Sequence, residues 1–531
     1  MRILLFISLV LSACFLQAQT SNKLHDPNFW KGNPSLQEVQ KAISQGNSPS
    51  EMNAMDFDAV SLAINNTASP DVIAYLLQQE GNAVTKTTNH MRTYLHWATA
   101  RGNAAVVKHL LEKGSDVNAP DSHGDSPLQF AASFGMNQPA IYDLYQKAGV
   151  DLKQRNKNGA TYMMLGIPND STLVLTNYLS DKGLSLNDTD NNGATLFDYA
   201  ARTGNISTLK TLRAKGVKAT EKALMMAAQG TRRTANGVEV FKYLIEEVKL
   251  KPTVTDVEGN TLLHLVARKT NQLPVINYLT SKGLNPNTLN KEGNNMLMVA
   301  AGGSDLELIK MLVKQTPNVN LKNARGESAL TSAVNSGSPE IVRILLDNKS
   351  DSEVRDIKGN HLGYYLVQSY RPTRGGAPAA AAPGNRTAPA GAIQPAANPA
   401  NRTAPAQANR PQSTPPDDFT EKMKLLISSG LDIAQPMADN STLYHIAAQK
   451  EDLELFRKLE RLAININAKN LEEMTVLHKI ALTAHNDKLL RYLIEKGADK
   501  KATTEFGETA YELAATNEYL LNNNINIEFL K

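Results

Sequence analysis

The sequence predicts an all-α solenoid: helix-turn-helix repeats of about 33 residues with projecting turns, stacked in register and interrupted by one disordered insertion. Three observations carry this. One phrase recurs along the chain, the spacing between its copies is nearly constant, and each copy has the same turn signal before it and the same kind of second helix after it.

The phrase is "TYLHWATARGN" at Thr93, and it returns as "SPLQFAASFGM" at Ser126, "TLFDYAARTGN" at Thr195, "TLLHLVARKTN" at Thr261, "TLYHIAAQKED" at Thr442 and "TVLHKIALTAH" at Thr475. Equivalent positions are Thr161, Lys222, Asn295, Ser328, His361 and Thr509, mostly 33–35 residues apart. The steps of 27 and 39 around Lys222 together make two periods, and the step of 81 after His361 exceeds one period by 48, the length of the low-complexity stretch 371–418. One register therefore runs through the whole chain.

The leader comes first. Arg2 precedes an apolar run from Ile3 to Leu16, followed by polar residues and the small Ala18, the layout of a secretory signal peptide over 1–18. The run is too short to span a bilayer comfortably. Cys14 is the only cysteine, and Leu11–Cys14 resembles a bacterial lipobox, so lipidation at Cys14 stands as the alternative to cleavage after Ala18. Cleavage after Ala18 leaves no cysteine and hence no disulfide, so stability rests on packing even in an oxidising compartment. Arg2 and the 371–418 stretch, with five Arg against two Asp, account for the net charge of +4. The remainder is neutral, which gives no support for nucleic-acid binding.

The repeats follow over 35–370, with a worn starter at 36–47 and a first complete unit at 58–79. Gly124, Gly159, Gly193, Gly259, Gly293, Gly326, Gly359 and Gly507 stand two residues before the phrase and mark tight turns. The Thr or Ser that opens the phrase can cap a helix. Alanine pairs such as Ala131-Ala132 and Ala300-Ala301 let neighbouring helices approach. A second helix with apolar residues at helical spacing ends in Gly, as in "VVKHLLEKG" at 106–114. Residues 161–168 lack the alanine pair, the unit at Lys222 lacks its turn, and the unit from Thr509 reads as truncated.

The insertion, "RPTRGGAPAAAAPGNRTAPAGAIQPAANPANRTAPAQANRPQSTPPDD", lies between the two helices of one unit. Its composition cannot build a core, and its prolines block helix. "NRTAPA" occurs in it twice. The repeats resume over 419–531 as part of the same solenoid.

"HLLEKGSDVNAPDSHGDSPLQFAA" (109–132) and "YLIEKGADKKATTEFGETAYELAA" (492–515) resemble the ankyrin repeat, with its Gly-x-Thr-Pro-Leu-His-x-Ala-Ala helix and its second helix ending in Gly-Ala-Asp. The resemblance implies stacked helix pairs that bury one continuous core, with turns and first helices forming a surface for protein partners.

Other chemistry is weighed against the same register. "DTDNNG" at 188–193 starts like a calcium loop, but the twelfth position is Tyr199, and the segment is the repeat's own turn. His96, His264, His445 and His478 share one place in the repeat, so they lie in separate layers, and the resemblance makes them turn-packing residues. Trp97, Phe130, Tyr199 and Leu265 share the next position and are expected in the core. No metalloprotease, phosphate-loop or hydrolase motif appears. The expected cofactor set is therefore none.

Candidate protein-binding residues are the turn tips His123, Lys157, Asn191, Glu258, Lys291, Arg325, Lys358 and Phe506. If they occupy successive tips, Lys291, Arg325 and Lys358 form a local basic ridge. The expected function is a non-enzymatic protein-binding scaffold, exported to the periplasm or outside a bacterial cell, with no membrane span and a lipid anchor only if Cys14 is acylated. A secreted effector that binds a host protein and an enzyme with an unrecognised site are the alternatives.

Overall fold

Helix pairs in the predicted register fill the computed structural model, which describes residues 22–231, 234–371 and 417–531. The leader, with Cys14 and Ala18, and positions 372–416 of the insertion lie outside the described residues. Two compact units are present, one ending at Ala223 and the other beginning at Leu224.

The first unit opens with short helices at Lys23–His25, Pro27–Lys31 and Leu36–Ser44. Trp30 is fully buried there, and its Nε1 donates to the Leu24 carbonyl at 2.7 Å. Folded structure thus begins upstream of the starter expected at 36–47. Helix pairs follow, beginning with Ala59–Asn65 and Pro70–Leu77, then Tyr94–Ala100 and Ala104–Glu112, then Pro127–Ser133 and Pro139–Lys147. Successive first helices pack on one another, as Tyr94–Ala100 does on Pro127–Ser133.

The opening residue of each phrase builds its helix as the sequence implies. Ser126 and Gln129 form a reciprocal capping box, as do Thr195 with Asp198 and Thr509 with Glu512. Where His stands at the third position it takes the same part. Thr93 N–H donates to His96 Nδ1 at 3.1 Å, and the same bond recurs at His264, His445 and His478. The Nε2 of each of these rings then reaches a carbonyl 24–30 residues on, of Asp125, Asn294, Met474 and Ala502 respectively. Each such histidine ties its repeat to the next.

The unit at Lys222 shows how a repeat manages without its turn. The Thr220 backbone and hydroxyl donate to the fully buried Asp198 carboxylate at 2.9 and 2.6 Å, and Thr195 Oγ1 donates to the Lys218 carbonyl at 2.7 Å. Side chains replace the missing residues.

The second unit runs from the pair Lys222–Gln229 and Val238–Lys242, the latter extended by one π turn at Tyr243–Glu247, to the last pair, Ala510–Ala514 and Glu518–Asn522. The unit from Thr509 is therefore complete; the Asn517 side chain caps its short second helix. Helix Asp418–Ser428 pairs with Leu362–Ser369 across the insertion, so regular structure resumes at Asp418, within the stretch assigned to the insertion. The Tyr370 and Phe419 rings meet at 5.5 Å, and Asp417 pairs with Lys458.

Two further ties recur. Lys269 Nζ donates to the Thr231 carbonyl at 3.0 Å and Lys450 Nζ to that of Gln368 at 3.2 Å, each satisfying a carbonyl at the end of the preceding first helix. On the second helices, a Tyr and the Lys four residues on grip one carboxylate of the helix before. Tyr178 and Lys182 hold Asp143 at 2.7 and 3.1 Å, and Tyr278 and Lys282 hold Glu246 at 3.0 and 2.8 Å.

Candidate protein-binding surface

Each projecting turn is built by one residue that the glycine signal hides. Asp121 Oδ1 accepts from the backbone N–H of His123 at 2.8 Å and of Asp125 at 3.1 Å. Asn156, Asp190, Asp256, Asn290, Asn323, Asp356 and Asn470 make the same pair of bonds in their own turns. This side-chain mimic of a backbone turn pushes two residues outward. Three residues after the Asp or Asn comes the position with positive φ. At Gly326 (φ +77°) an added Cβ would meet the Ile357 nitrogen of the next turn at 2.9 Å, so only glycine fits. The repeats at Thr442 and Thr475 place Asn440 (φ +58°) and Glu473 (φ +54°) in that conformation instead.

The turns are joined by main-chain bonds. In the first unit Asn89 N–H donates to the Asp56 carbonyl at 2.8 Å, Ser122 to His90 at 2.9 Å and Asn191 to Asn158 at 2.9 Å. In the second, Lys291 donates to Glu258 at 3.0 Å, Ala324 to Glu292 at 2.8 Å, Ile357 to Arg325 at 2.9 Å and Leu471 to Asp439 at 2.9 Å. Asparagine side chains add rungs, Asn290 to Asn260 at 2.9 Å and Asn323 to Asn294 at 3.0 Å. The tips of each unit thus stand in a fixed row.

All eight tip residues picked from sequence are exposed, but they fall at two registers. Lys157, Asn191 and Lys291 occupy the first outward position, and His123, Glu258, Arg325, Lys358 and Phe506 the second. The basic ridge is therefore not formed as expected. Lys291 is followed by Glu292 at the second position, and Arg325 lies between Glu292 at 3.3 Å and Glu327 at 2.9 Å. Lys157 turns its ammonium onto the His123 carbonyl.

The remaining sequence candidates have structural partners. Asp190 directs Oδ1 to its turn and accepts the Tyr199 hydroxyl on Oδ2 at 3.0 Å, while Asp188 pairs with Arg155 at 3.1 Å. Trp97, Phe130 and Leu265 are buried, and Tyr199 is half-buried. Phe130 lays its ring on the Arg92 guanidinium at 4.0 Å, and Arg92 holds the buried Asp121 at 2.9 Å. Burial drives the pKa of His96 down to about 4 and lowers those of His264, His361, His445 and His478. These rings stay neutral, with the proton on Nε2. Among the described residues no helix is long and apolar enough to cross a membrane.

Comparison with known proteins agrees with this geometry. Models described as "Ankyrin repeats (3 copies)" match residues 32–121, 60–149 and 263–356, and models described as "Ankyrin repeats (many copies)" match 173–213 and 459–514. The unmatched stretches contain the repeat without a turn and the insertion. The palmitoyltransferase AKR1 of Lachancea kluyveri is 32% identical over 161 residues, 29% of this chain and 21% of that protein. Ankyrin repeat domain-containing protein 63 of Mus musculus is 26% identical over 153 residues, 28% of this chain and 37% of that protein. Alpha-latrotoxin-Lt1a of Latrodectus tredecimguttatus is 28% identical over 136 residues, 24% of this chain and 9% of that protein. The chain thus spans well under half the length of each of these relatives.

Proposed function

The chain belongs to the ankyrin-repeat family, and from that premise we propose that it is a non-enzymatic protein-binding scaffold, exported from a bacterial cell and held in the envelope or released. The observation that carries the binding reading is the row of turns. Each turn offers two exposed side chains on a backbone fixed by its Asp or Asn and by the main-chain bond to its neighbour. Such a row suits recognition of another protein by several adjacent side chains, because they are already positioned and lose little freedom on binding. Their chemistry differs from tip to tip, which favours one irregular partner surface over a repeated ligand.

Export rests on the sequence of residues 1–18 alone. Intact mass of protein from its native host tests it: the expected mature N-terminus is Gln19. A retained Met1 refutes cleavage, and an acylated Cys14 replaces it with a lipid anchor. Photocrosslinkers placed at His123 and Glu258 in the living cell test the scaffold reading, which requires discrete protein adducts from at least one tip. Their absence from every tip, or turnover of a substrate by the purified protein, refutes it.

A further inference from the structure

Single exposed apolar side chains are ordinary on a protein surface. Their placement here is not. The most exposed large apolar residues among the described positions are Phe506 (81%), Val257 (75%), Ile357 (74%) and Leu471 (66%), and each stands at a turn tip of the second unit. Three of them fall within the four tips from Ile357 to Phe506, with exposed Ala438 at the tip between Ile357 and Leu471. These tips are neighbours: Gly359 abuts Ala438, and the Leu471 N–H donates to the Asp439 carbonyl at 2.9 Å. Ile357, Ala438 and Leu471 share the first outward position, and Phe506 takes the second.

The polar residues beside this strip are of one sign for most of its length. Lys358 stands at its start. Beyond it come Asp439, Glu472, Glu473, Glu505 and Glu508. Among the described residues only Glu473 of these five has an ion-pair partner, Lys469 at 3.0 Å. The others meet neutral groups of their own turns where they are bonded: Ser441 on Asp439, Asn470 on Glu472 and Thr504 on Glu508.

We infer that the tips from Ile357 to Phe506 form a docking strip for an extended protein segment in which apolar residues alternate with lysine or arginine. This rests on the scaffold reading and names the partner's chemistry. The apolar tips need apolar side chains to leave water with them. The carboxylates attract a cationic chain and repel nucleic acid and anionic lipid surfaces, whose phosphates carry the same sign. Successive repeats place packed helices roughly 8–10 Å apart. A polyproline II segment presents one side chain to a given face about every 9 Å, because it has three residues per turn at ~3.1 Å each. An apolar residue at every third position therefore matches the strip.

The test uses the full chain and fluorescein-labelled peptides of about fifteen residues, built from Leu-Lys-Pro, Leu-Glu-Pro or Ser-Lys-Pro repeats, read by fluorescence polarisation. Saturable binding of the Leu-Lys-Pro peptide is expected, weakening as salt rises. The triple change Ile357→Ser, Leu471→Ser and Phe506→Ser should weaken it about tenfold or more. Asp439→Lys with Glu472→Lys and Glu505→Lys should shift preference to the Leu-Glu-Pro peptide, and it leaves the apolar tips in place should the first variant fail to fold. Equal affinity for Leu-Lys-Pro and Ser-Lys-Pro, equal affinity of wild type and serine variant, or no binding at all overturns the proposal. So does a concentration-dependent self-association of the wild type that the serine variant abolishes, since the occupant is then a second copy. Adducts from crosslinkers at His123 or Glu258 with none at Leu471 refute the strip and leave the scaffold reading standing.

Discussion

Acid should loosen the stack at its histidines first. The perturbation is a fall in pH from about 7 to about 4, spanning the ordinary His range. His96 is fully buried, accepts the Thr93 N–H on Nδ1 and donates from Nε2 to the Asp125 carbonyl at 3.3 Å. Protonation puts a hydrogen on Nδ1 and breaks the cap. Burial lowers the folded pKa from 6.5 to about 4. The unfolded chain therefore takes up the proton first, and stability rises with pH across this window. The contribution is complete above about 6.5 and is lost as pH falls towards 4. At ~1.4 kcal/mol per pKa unit, this one ring accounts for about 3 kcal/mol. His264, His361, His445 and His478 act in the same direction.

The chain supplies its own control. The Ser126 repeat places Gln129 at the histidine position, and Gln129 Oε1 accepts the Ser126 N–H at 3.0 Å. His96→Gln should keep that cap, lose the Nε2 bond at a cost of about 1 kcal/mol near pH 7, and remove the titration. A long repeat array need not unfold as one transition. The assay is therefore hydrogen exchange of the segment containing Tyr94–Ala100, corrected for intrinsic rate and compared at several pH values. The variant's opening free energy should stay level where the wild type's falls. Parallel pH dependence in the two proteins, or a His96 ring that titrates near 6.5 by NMR, would refute the reasoning.

Burial pulls the pKa of Lys422 down to about 8, and its Nζ donates to the Val334 carbonyl at 3.0 Å. Because the unfolded chain keeps its proton longer, stability should rise with pH between about 8 and 10.5, and Lys422→Met should remove that rise while costing nothing at pH 7; denaturation across this range decides it. Glu473 holds φ at +54°, so Glu473→Gly should raise the stability of its repeat by about 1 kcal/mol, read as increased exchange protection of Val476–Thr483. Tyr370 and Phe419 already touch across the insertion, so replacing 372–416 with a short Gly/Ser linker should leave melting nearly unchanged; a loss above about 2 kcal/mol contradicts this.

The period was readable because its signals are local. Gly326, Ser328 and the alanine pairs each specify a conformation within a few residues. Other features were not readable, for three physical reasons. Some depend on a residue one layer away, as with Arg325, whose neutralisation by Glu292 is invisible without stacking the turns. The tip register depends on the Asp or Asn that sets each turn, so counting from glycine alone mixed first and second outward positions. The apolar strip is spread over four repeats in sequence and becomes a patch only in space. Trp30, Lys269 and Lys450 likewise act through partners in other elements, which local pattern does not show.

The main-chain bonds between turns also set how the molecule answers a mechanical load. Asp56 to Asn89 and His90 to Ser122 in one unit, and Glu258 to Lys291, Glu292 to Ala324 and Arg325 to Ile357 in the other, each link one layer to the next. Tension applied between the ends of a unit meets these links in series. No group of strands shares the force in shear, so each layer yields alone, at low force, and the next takes up the strain. One layer releases about 33 residues, on the order of 110 Å of extended chain. Within a unit, the same links that line up the tips also make it a soft spring with a regular step, able to lengthen layer by layer while the layers beyond stay folded.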